Sequence, residues 1–374
     1  MSWRTCRLGD VVEFRYGKSL PDRDRKQGDV PVYGSGGVGG FHNVALVSGP
    51  GVIVGRKGSV GSVFYEPRNF YPIDTTYYVV PKADLDLRYS FFLLCNLPLA
   101  SMNSDVAVPG LNRDRALGLN VKIPSPTIQK TIANVLSTYD DLIDNNRRRM
   151  ALLEDSARQL YREWFVRLRF PGHEHTPIVD GVLQGWVKLP ATEALEINPK
   201  IKLSDAEEHW FVEMANLPTD SMVIEGAYLR EGRSGPKFQN GDTLFARITP
   251  CLENGKTGFV DFMDEGEVGR GSTEFIVLRS KRVTPEFVYC LSRTYEFRGN
   301  AIKSMIGSSG RQRVQESCFE KFMVNVPPTS LLRLFSDFAE LAFEEIKNLA
   351  SQNQKLRQAR DLLLPRLMNG ELAV

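Results

Sequence analysis

No run of 18 or more apolar residues occurs anywhere in the 374-residue sequence, so nothing in it reads as a membrane-spanning helix. The opening MSWRTCRLGD has none of the apolar stretch of a secretory leader, and a cytoplasmic protein is expected. Cysteine is sparse. Cys6, Cys95, Cys251, Cys290 and Cys318 are odd in number and scattered, with no C-x-x-C pair to suggest a zinc or redox motif, so buried thiols are expected. Net charge is small as well: +2 overall, with 15 basic and 11 acidic residues over 1–124 against 18 and 22 over 171–326. A nucleic-acid partner would therefore need a local basic patch rather than a basic domain.

What the sequence does have is repetition. Trp3, Val11, Val12, Glu13 and Phe14 return as Trp186, Ala194, Leu195, Glu196 and Ile197, 183 residues later. Thr75, Thr76, Tyr78, Val79 and Val80 align with Ser272, Thr273, Phe275, Ile276 and Val277 at an offset of 197, as does Gly61 with Gly258. Leu119, Val121, Ile123 and Pro124 match Phe322, Val324, Val326 and Pro327 at 203. A shared order of features, with the offset drifting at a few places, indicates duplication. Each half begins with short strands separated by Gly, Pro and Asn turns, then a helical piece near 86–97 or 285–295. A last strand, LGLNVKIP or EKFMVNVP, ends at proline, which cannot continue a ladder. In PSPT the Ser125 hydroxyl suits a helix cap and Pro126 its first position.

Two long amphipathic runs follow. In the first, heptad a and d sites fall on Ile132, Leu136, Tyr139, Ile143, Asn146, Met150, Leu153, Ala157, Leu160 and Trp164. Adding 203 gives Phe335, Ala339, Ala342, Ile346, Leu349, Asn353, Leu356, Arg360, Leu363 and Leu367. At ~1.5 Å per residue each helix would be on the order of 55 Å long, and such a stripe requires a partner helix. The connectivity favours an antiparallel pair, in which a faces d, so the polar exceptions Asn146 (d) and Asn353 (a) are expected to meet. Apolar residues off the seam include Val135, Leu142, Leu152, Tyr161 and Phe165 on one helix and Phe338, Leu341, Phe343 and Leu364 on the other. Some should cover the domains, and the surplus suggests outside helices from another protein. The expected fold is mixed α/β, two domains with twisted sheets joined by two long antiparallel helices, with an internal pseudo-two-fold repeat. The segments read 1–124, 125–170, 171–326 and 327–374.

IPSPTIQKTIANVLSTYDDLIDNNRRRMALLEDSARQLYREWF and the terminal LLLPRLMNGEL resemble the two conserved helical regions of the specificity subunit of type I restriction–modification systems. In that family each variable target recognition domain begins near a tryptophan and is followed by a proline-led helix, so the likeness covers essentially the whole chain. The second copy departs from it, since PPTSLLRLF lacks the Glu-Gln that often follows the prolines. The resemblance implies that each domain reads one half of a split DNA target and that the helix pair fixes the unspecified gap. Half-site centres would lie about one helical turn, ~34 Å, apart if both domains approach one side of the duplex. It also implies two methyltransferase subunits clasping the helices, with ATP-driven restriction and translocase subunits joining them. S-adenosylmethionine, ATP and Mg are then expected only in those partners.

Catalytic motifs are missing. An amino-methyltransferase needs Asn or Asp followed by Pro-Pro-Tyr or Pro-Pro-Phe, and the nearest strings are NPK at 198–200 and VPPT at 326–329. GSGGVG at 34–39 fits G-x-G-x-x-G, but GFHNVALVSGPG follows where a nucleotide loop needs a helix. No G-x-x-x-x-G-K-[ST] occurs, Glu345-x-Lys347 lies within the second long helix, and His173 and His175 read as linker residues rather than metal ligands. The chain is expected not to be an enzyme. Two other readings stay open, a self-contained DNA methyltransferase with an unrecognised motif and a coiled-coil scaffold that does not touch DNA.

DNA contact calls for cations for phosphates, and for Arg, Lys, Asn or Gln on loops that reach base edges. In the first domain Arg56, Lys57 and Ser59 of GRKGSVG and Asn112, Arg113 and Arg115 of PGLNRDR qualify. In the second the candidates are Arg247, Lys256 and, in GSSGRQR, Arg311, Gln312 and Arg313. The window from Arg293 to Arg313 concentrates five basic residues against Glu296 alone.

Overall fold

The computed structural model describes residues 3–82, 84–102, 110–179 and 181–374. It divides into two compact units, Met1–Ile143 with Gln354–Val374, and Asp144–Asn353.

In the first unit β1 (Arg4–Arg7), the short α1 (Leu8–Val11) and β2 (Val12–Tyr16) precede β3 (Val30–Gly34), β4 (Gly37–His42), β5 (Gly51–Gly55), β6 (Val63–Glu66), β7 (Tyr71–Pro72) and β8 (Thr76–Pro81). Helix α2 (Leu87–Cys95), α3 (Arg113–Leu117) and β9 (Asn120–Ile123) follow, leading into α4 (Pro126–Tyr161). The strands form a sheet in the order β2-β8-β5-β6, a smaller one β4-β3-β7, and the pair β1-β9. β5 is GVIVG with every residue buried, the continuous apolar run expected of an inner strand covered on both faces. Phe14, Tyr77, Tyr89 and Phe92 fill the core between the larger sheet and α2. Asp86 caps α2 by accepting from the Tyr89 amide at 2.8 Å.

The second unit contains the strands β10 (Ile178–Val179), β11 (Val182–Leu183), β12 (Val187–Pro190), β13 (Leu195–Ile197), β14 (Glu208–Val212), β15 (Tyr228–Glu231), β16 (Lys237–Phe238), β17 (Thr243–Ala246), β18 (Thr257–Phe259), β19 (Gly269–Gly271), β20 (Phe275–Ser280) and β21 (Met323–Val326). Its helices are α5 (Ala191–Ala194), α6 (Pro285–Ser292), α7 (Tyr295–Lys303), α8 (Cys318–Lys321) and most of α9 (Thr329–Met368). Besides the pair β10-β11, which has no counterpart among the described residues of the first unit, the sheets are β13-β20-β17-β18, β15-β14-β19-β16 and β12-β21. Each has a counterpart in the first unit, down to the parallel pairs β3-β7 and β14-β19. Arg4 opposite Ile123 corresponds to Val187 opposite Val326, which keeps the offsets 183 and 203.

The middle offset needs correcting. Glu13 faces Val80 whereas Glu196 faces Arg279, and Ile53 faces Tyr78 whereas Leu244 faces Val277, so β8 and β20 correspond at 199 and not 197. A slip of two residues keeps every side chain on the same face, so the alternation that suggested the alignment could not detect it. Gly258 pairs with Leu244 as Phe64 pairs with Ile53, so its counterpart is Phe64 rather than Gly61.

The long helices pair within both units. Asn146 Nδ2 donates to Asn353 Oδ1 at 3.0 Å, and both residues are buried. Three residues further along α4, Arg149 reaches back to Glu345 at 2.8 Å, so partner numbers fall as α4 numbers rise and the helices run antiparallel. In the first unit Asp140 accepts from Arg360 at 2.6 Å, while Ile132 and Leu136 share a core with Leu367 and Met368, giving the same direction. All the expected seam positions are buried or half-buried. The compact units are drawn through both helices, because each helix packs part of its length on each unit. Off the seam, Tyr161, Phe165 and Phe343 are buried in the second unit's core, whereas Leu142, Leu152, Phe338 and Leu341 are exposed. Two of the thiols depart least from expectation, Cys290 and Cys318 being buried; Cys6 and Cys251 are half-buried, and Cys95, the last residue of α2, is exposed.

Candidate nucleic-acid interface

In the first unit the two loops chosen from sequence are fastened together. The amides of Arg56 and Lys57 both donate to the Thr75 carbonyl, at 2.9 and 3.1 Å, and the Leu111 amide donates to the Arg56 carbonyl at 2.8 Å. The tight turn depends on glycine: a Cβ on Gly55 would lie 2.2 Å from the Ser59 carbonyl oxygen, and Gly61, at φ +74°, would meet the Ala100 amide at 2.4 Å. Asn112 caps α3, its carboxamide oxygen accepting from the Arg115 amide at 3.0 Å, while its amino end makes no such bond among the described residues. The Arg56 and Arg113 guanidiniums lie 4.9 and 5.4 Å from the Tyr16 ring centre. Lys57, Ser59 and Arg115 are exposed, and neither Lys57 nor Arg115 has a side-chain partner among the described residues.

The second unit repeats this frame. The Arg247 amide donates to the Glu274 carbonyl, and the Val314 amide to the Arg247 carbonyl, each at 2.9 Å. Arg247 therefore occupies the position of Arg56, one residue past β17 as Arg56 is past β5. The cations here are held differently. Arg313 makes a doubled ion pair with Glu274, the closest approach 2.6 Å, and its hydrogen bonds hold the Glu274 carboxyl below the usual range. Arg247 approaches Glu316 at 3.4 Å, and Lys256 Nζ donates to the Met214 carbonyl at 2.6 Å. The Gln312 backbone is engaged with Thr249, while the side chain of Arg311 is exposed and free among the described residues. The concentration of charge from Arg293 to Arg313 is also less available than its sequence suggests. Arg293 is buried, donating to the carbonyls of Thr219, Ser221 and Gly255 and to the Tyr289 hydroxyl, so it braces the domain instead of facing solvent.

The sequence reading missed two aromatic–arginine clusters. One is Tyr16 with Tyr77 beneath it, the ring centres 5.1 Å apart. The other is Phe211, with Arg230 and Arg270 at 4.6 and 4.7 Å, beside a cavity of about 400 Å³ that Ser272 and Thr273 also line. Arg270 is buried and donates only to the carbonyls of Arg230, Glu231 and Ser234. No spacing rule in the sequence brings these rings under those arginines, since they come from separate strands.

Other motifs receive structural work. GSGGVG forms the turn between β3 and β4, with a strand following it. Asn198 of NPK exchanges hydrogen bonds with the Val277 backbone on β20, and VPPT leads into α9. Glu345 pairs with Arg149, and His173 Nδ1 lies 2.8 Å from the Phe170 carbonyl. Among the described residues no group of three His, Cys, Asp or Glu side chains is placed to hold a metal ion, and no helix is long and apolar enough to cross a membrane.

Comparison with known proteins bears on the whole arrangement. Residues 1–155 match the family model described as "Type I restriction modification DNA specificity domain". The MjaIX specificity subunit of Methanocaldococcus jannaschii is 23% identical over 314 residues, 79% of this chain and 71% of that one. The EcoEI specificity subunit of Escherichia coli is 30% identical over 170 residues, 43% of this chain and 28% of that one. Among solved structures, the S subunit of a type I restriction–modification system from M. genitalium superposes with a TM-score of 0.60 at 15% identity, covering 98% of this chain and 96% of the other, which shows a shared fold. Residues 1–155 thus match a type I restriction–modification DNA specificity domain, and the chain as a whole, with its duplicated frame and paired helices, is similar to the specificity subunits of those systems.

Proposed function

We propose that each domain reads one half of a bipartite DNA target and that the paired helices set the unspecified spacer. The observation that carries this reading is the equivalence of Arg56 and Arg247, each presented by the same strand end and fastened to the same second loop. Around them Lys57, Ser59, Asn112, Arg113, Arg115, Lys256, Arg311, Gln312 and Arg313 supply donors of the kinds that contact phosphates and base edges. The exposed Leu142, Leu152, Phe338 and Leu341 suit helices of methyltransferase subunits, with restriction and translocase subunits joining that complex. S-adenosylmethionine, ATP and Mg belong to those partners, the chain itself does no chemistry, and the assembly works in the cytoplasm. Mapping methylated adenines in DNA from cells expressing this chain with its partner subunits tests the reading. A two-part motif with a fixed gap is expected; a single contiguous motif, or methyl transfer by the purified chain alone, would overturn it.

A further inference from the structure

We propose that Tyr16 is a positioning residue for the first half-site: its ring holds Arg56 and Arg113 as a paired fork that reads a guanine edge in the major groove. The inference rests on the reading of this domain as a half-site reader and adds a residue and a base class to it. Tyr16 ends β2 with 49% of its surface exposed and two guanidiniums over its ring. The ring belongs to a closed circuit. The Arg56 carbonyl is held by the Leu111 amide at 2.8 Å, and the Leu111 carbonyl by the Tyr77 hydroxyl at 3.0 Å. Tyr77 packs on Tyr16 at 5.1 Å, and Tyr16 returns to the guanidiniums of Arg56 and Arg113 at 4.9 and 5.4 Å. Burial pushes the Tyr77 phenol up to about 12, so the hydroxyl stays a donor and the circuit stays closed at physiological pH.

Arg56 has no carboxylate partner among the described residues, its Nη1 donating to the Asp74 carbonyl at 3.2 Å, and Arg113 pairs with its exposed neighbour Asp114 at 3.4 Å. Two like charges converging on one ring repel each other, and an electronegative edge placed between or above them relieves that repulsion. A base edge is favoured over a phosphate by a division of exposure. Lys57 and Arg115 are exposed, where mobile charges suit phosphates, whereas Arg56 and Arg113 are half-buried with their guanidiniums over the Tyr16 ring. A planar guanidinium held by stacking loses less freedom on forming two parallel hydrogen bonds, and guanine O6 and N7 are the acceptors that match that fork.

The test uses the full chain assembled with its methyltransferase subunits, bound to duplexes carrying each base at every position of the first half-site. Tyr16→Leu should lower the preference for guanine at one position on the order of tenfold. Arg113→Gln should relax the same position, and Tyr16→Phe, which keeps the ring, should restore wild-type discrimination. Unchanged preference in Tyr16→Leu, an equal loss on all sequences, a Tyr16→Phe as defective as Tyr16→Leu, or a first half-site without guanine would each overturn the proposal. Intact discrimination at the second half-site reports that the variant has folded. A wild-type complex with no preference at either half-site would instead defeat the underlying reading, and this inference with it.

Discussion

The two units share one backbone frame and differ in what surrounds their cations. In the first, Arg56 and Arg113 lie over an aromatic ring and no strong ion pair restrains them. In the second, the equivalent Arg247 and the neighbouring Arg313 are each drawn toward a glutamate. The interior differs in the same direction. Where the first domain has Val80 beside Gly51, the second has a bidentate Arg279–Asp242 pair with Asp242 almost wholly buried. Duplication has thus kept the hydrogen-bonded scaffold and left the charges to diverge. A scaffold held by main-chain bonds allows its two copies to come to present different faces.

The sharpest way to break the comparison is to remove the charged pair that the second unit holds where the first has Val80 and Gly51. Arg279→Met leaves the buried Asp242 carboxyl without its partner and should cost the second unit about 3–5 kcal/mol in denaturant unfolding. Val80→Ala, at the matching position of the first, should cost on the order of 1 kcal/mol. A cost for Arg279→Met no larger than that for Val80→Ala would show the pair to be dispensable.

A pH dependence should separate the units next. Burial raises the Asp261 carboxyl to about 6, against the opposing charge of Lys347, and the matching residue of the first domain is Pro67. The folded acid binds its proton more tightly than the unfolded chain does. Its contribution to stability is therefore fully present below about pH 4 and is lost as pH rises through about 6. Asp261→Asn should raise second-unit stability near pH 7 by on the order of 2 kcal/mol and flatten its profile between those limits. A variant whose profile still falls between pH 4 and 6 would assign the slope to another group.

The smallest expected effect makes one face resemble the other. Glu274→Thr copies Thr75 and releases Arg313, so affinity for non-target DNA should rise about fivefold, with one more phosphate contact in the salt dependence. Anisotropy titrations at several salt concentrations measure both, and an unchanged slope would mean that Arg313 does not reach the phosphates.

Much of the architecture could be read from local pattern. The prolines between each last strand and its long helix, the heptad stripe, and the two asparagines placed to meet across it are all set by residue type and spacing. The middle of the repeat was misaligned by two residues, because alternation has period two and registers differing by an even number look alike. The candidate loops were visible as glycine and arginine together, whereas the state of their cations was not. Glu274 lies 39 residues from Arg313, and Glu316 lies 69 from Arg247. Tyr16 reaches Arg56 and Arg113 only after three separate segments have been folded together.

By itself the sequence determined a duplicated α/β chain with two heptad helices, because periodicity, prolines and glycines act through the backbone within a few residues of where they stand. The tertiary structure alone decided which arginines are drawn to a distant glutamate, which are buried as braces and which lie over an aromatic ring. Those outcomes depend on Coulomb and ring contacts between strands distant in sequence, and such contacts exist only once packing has fixed the distances.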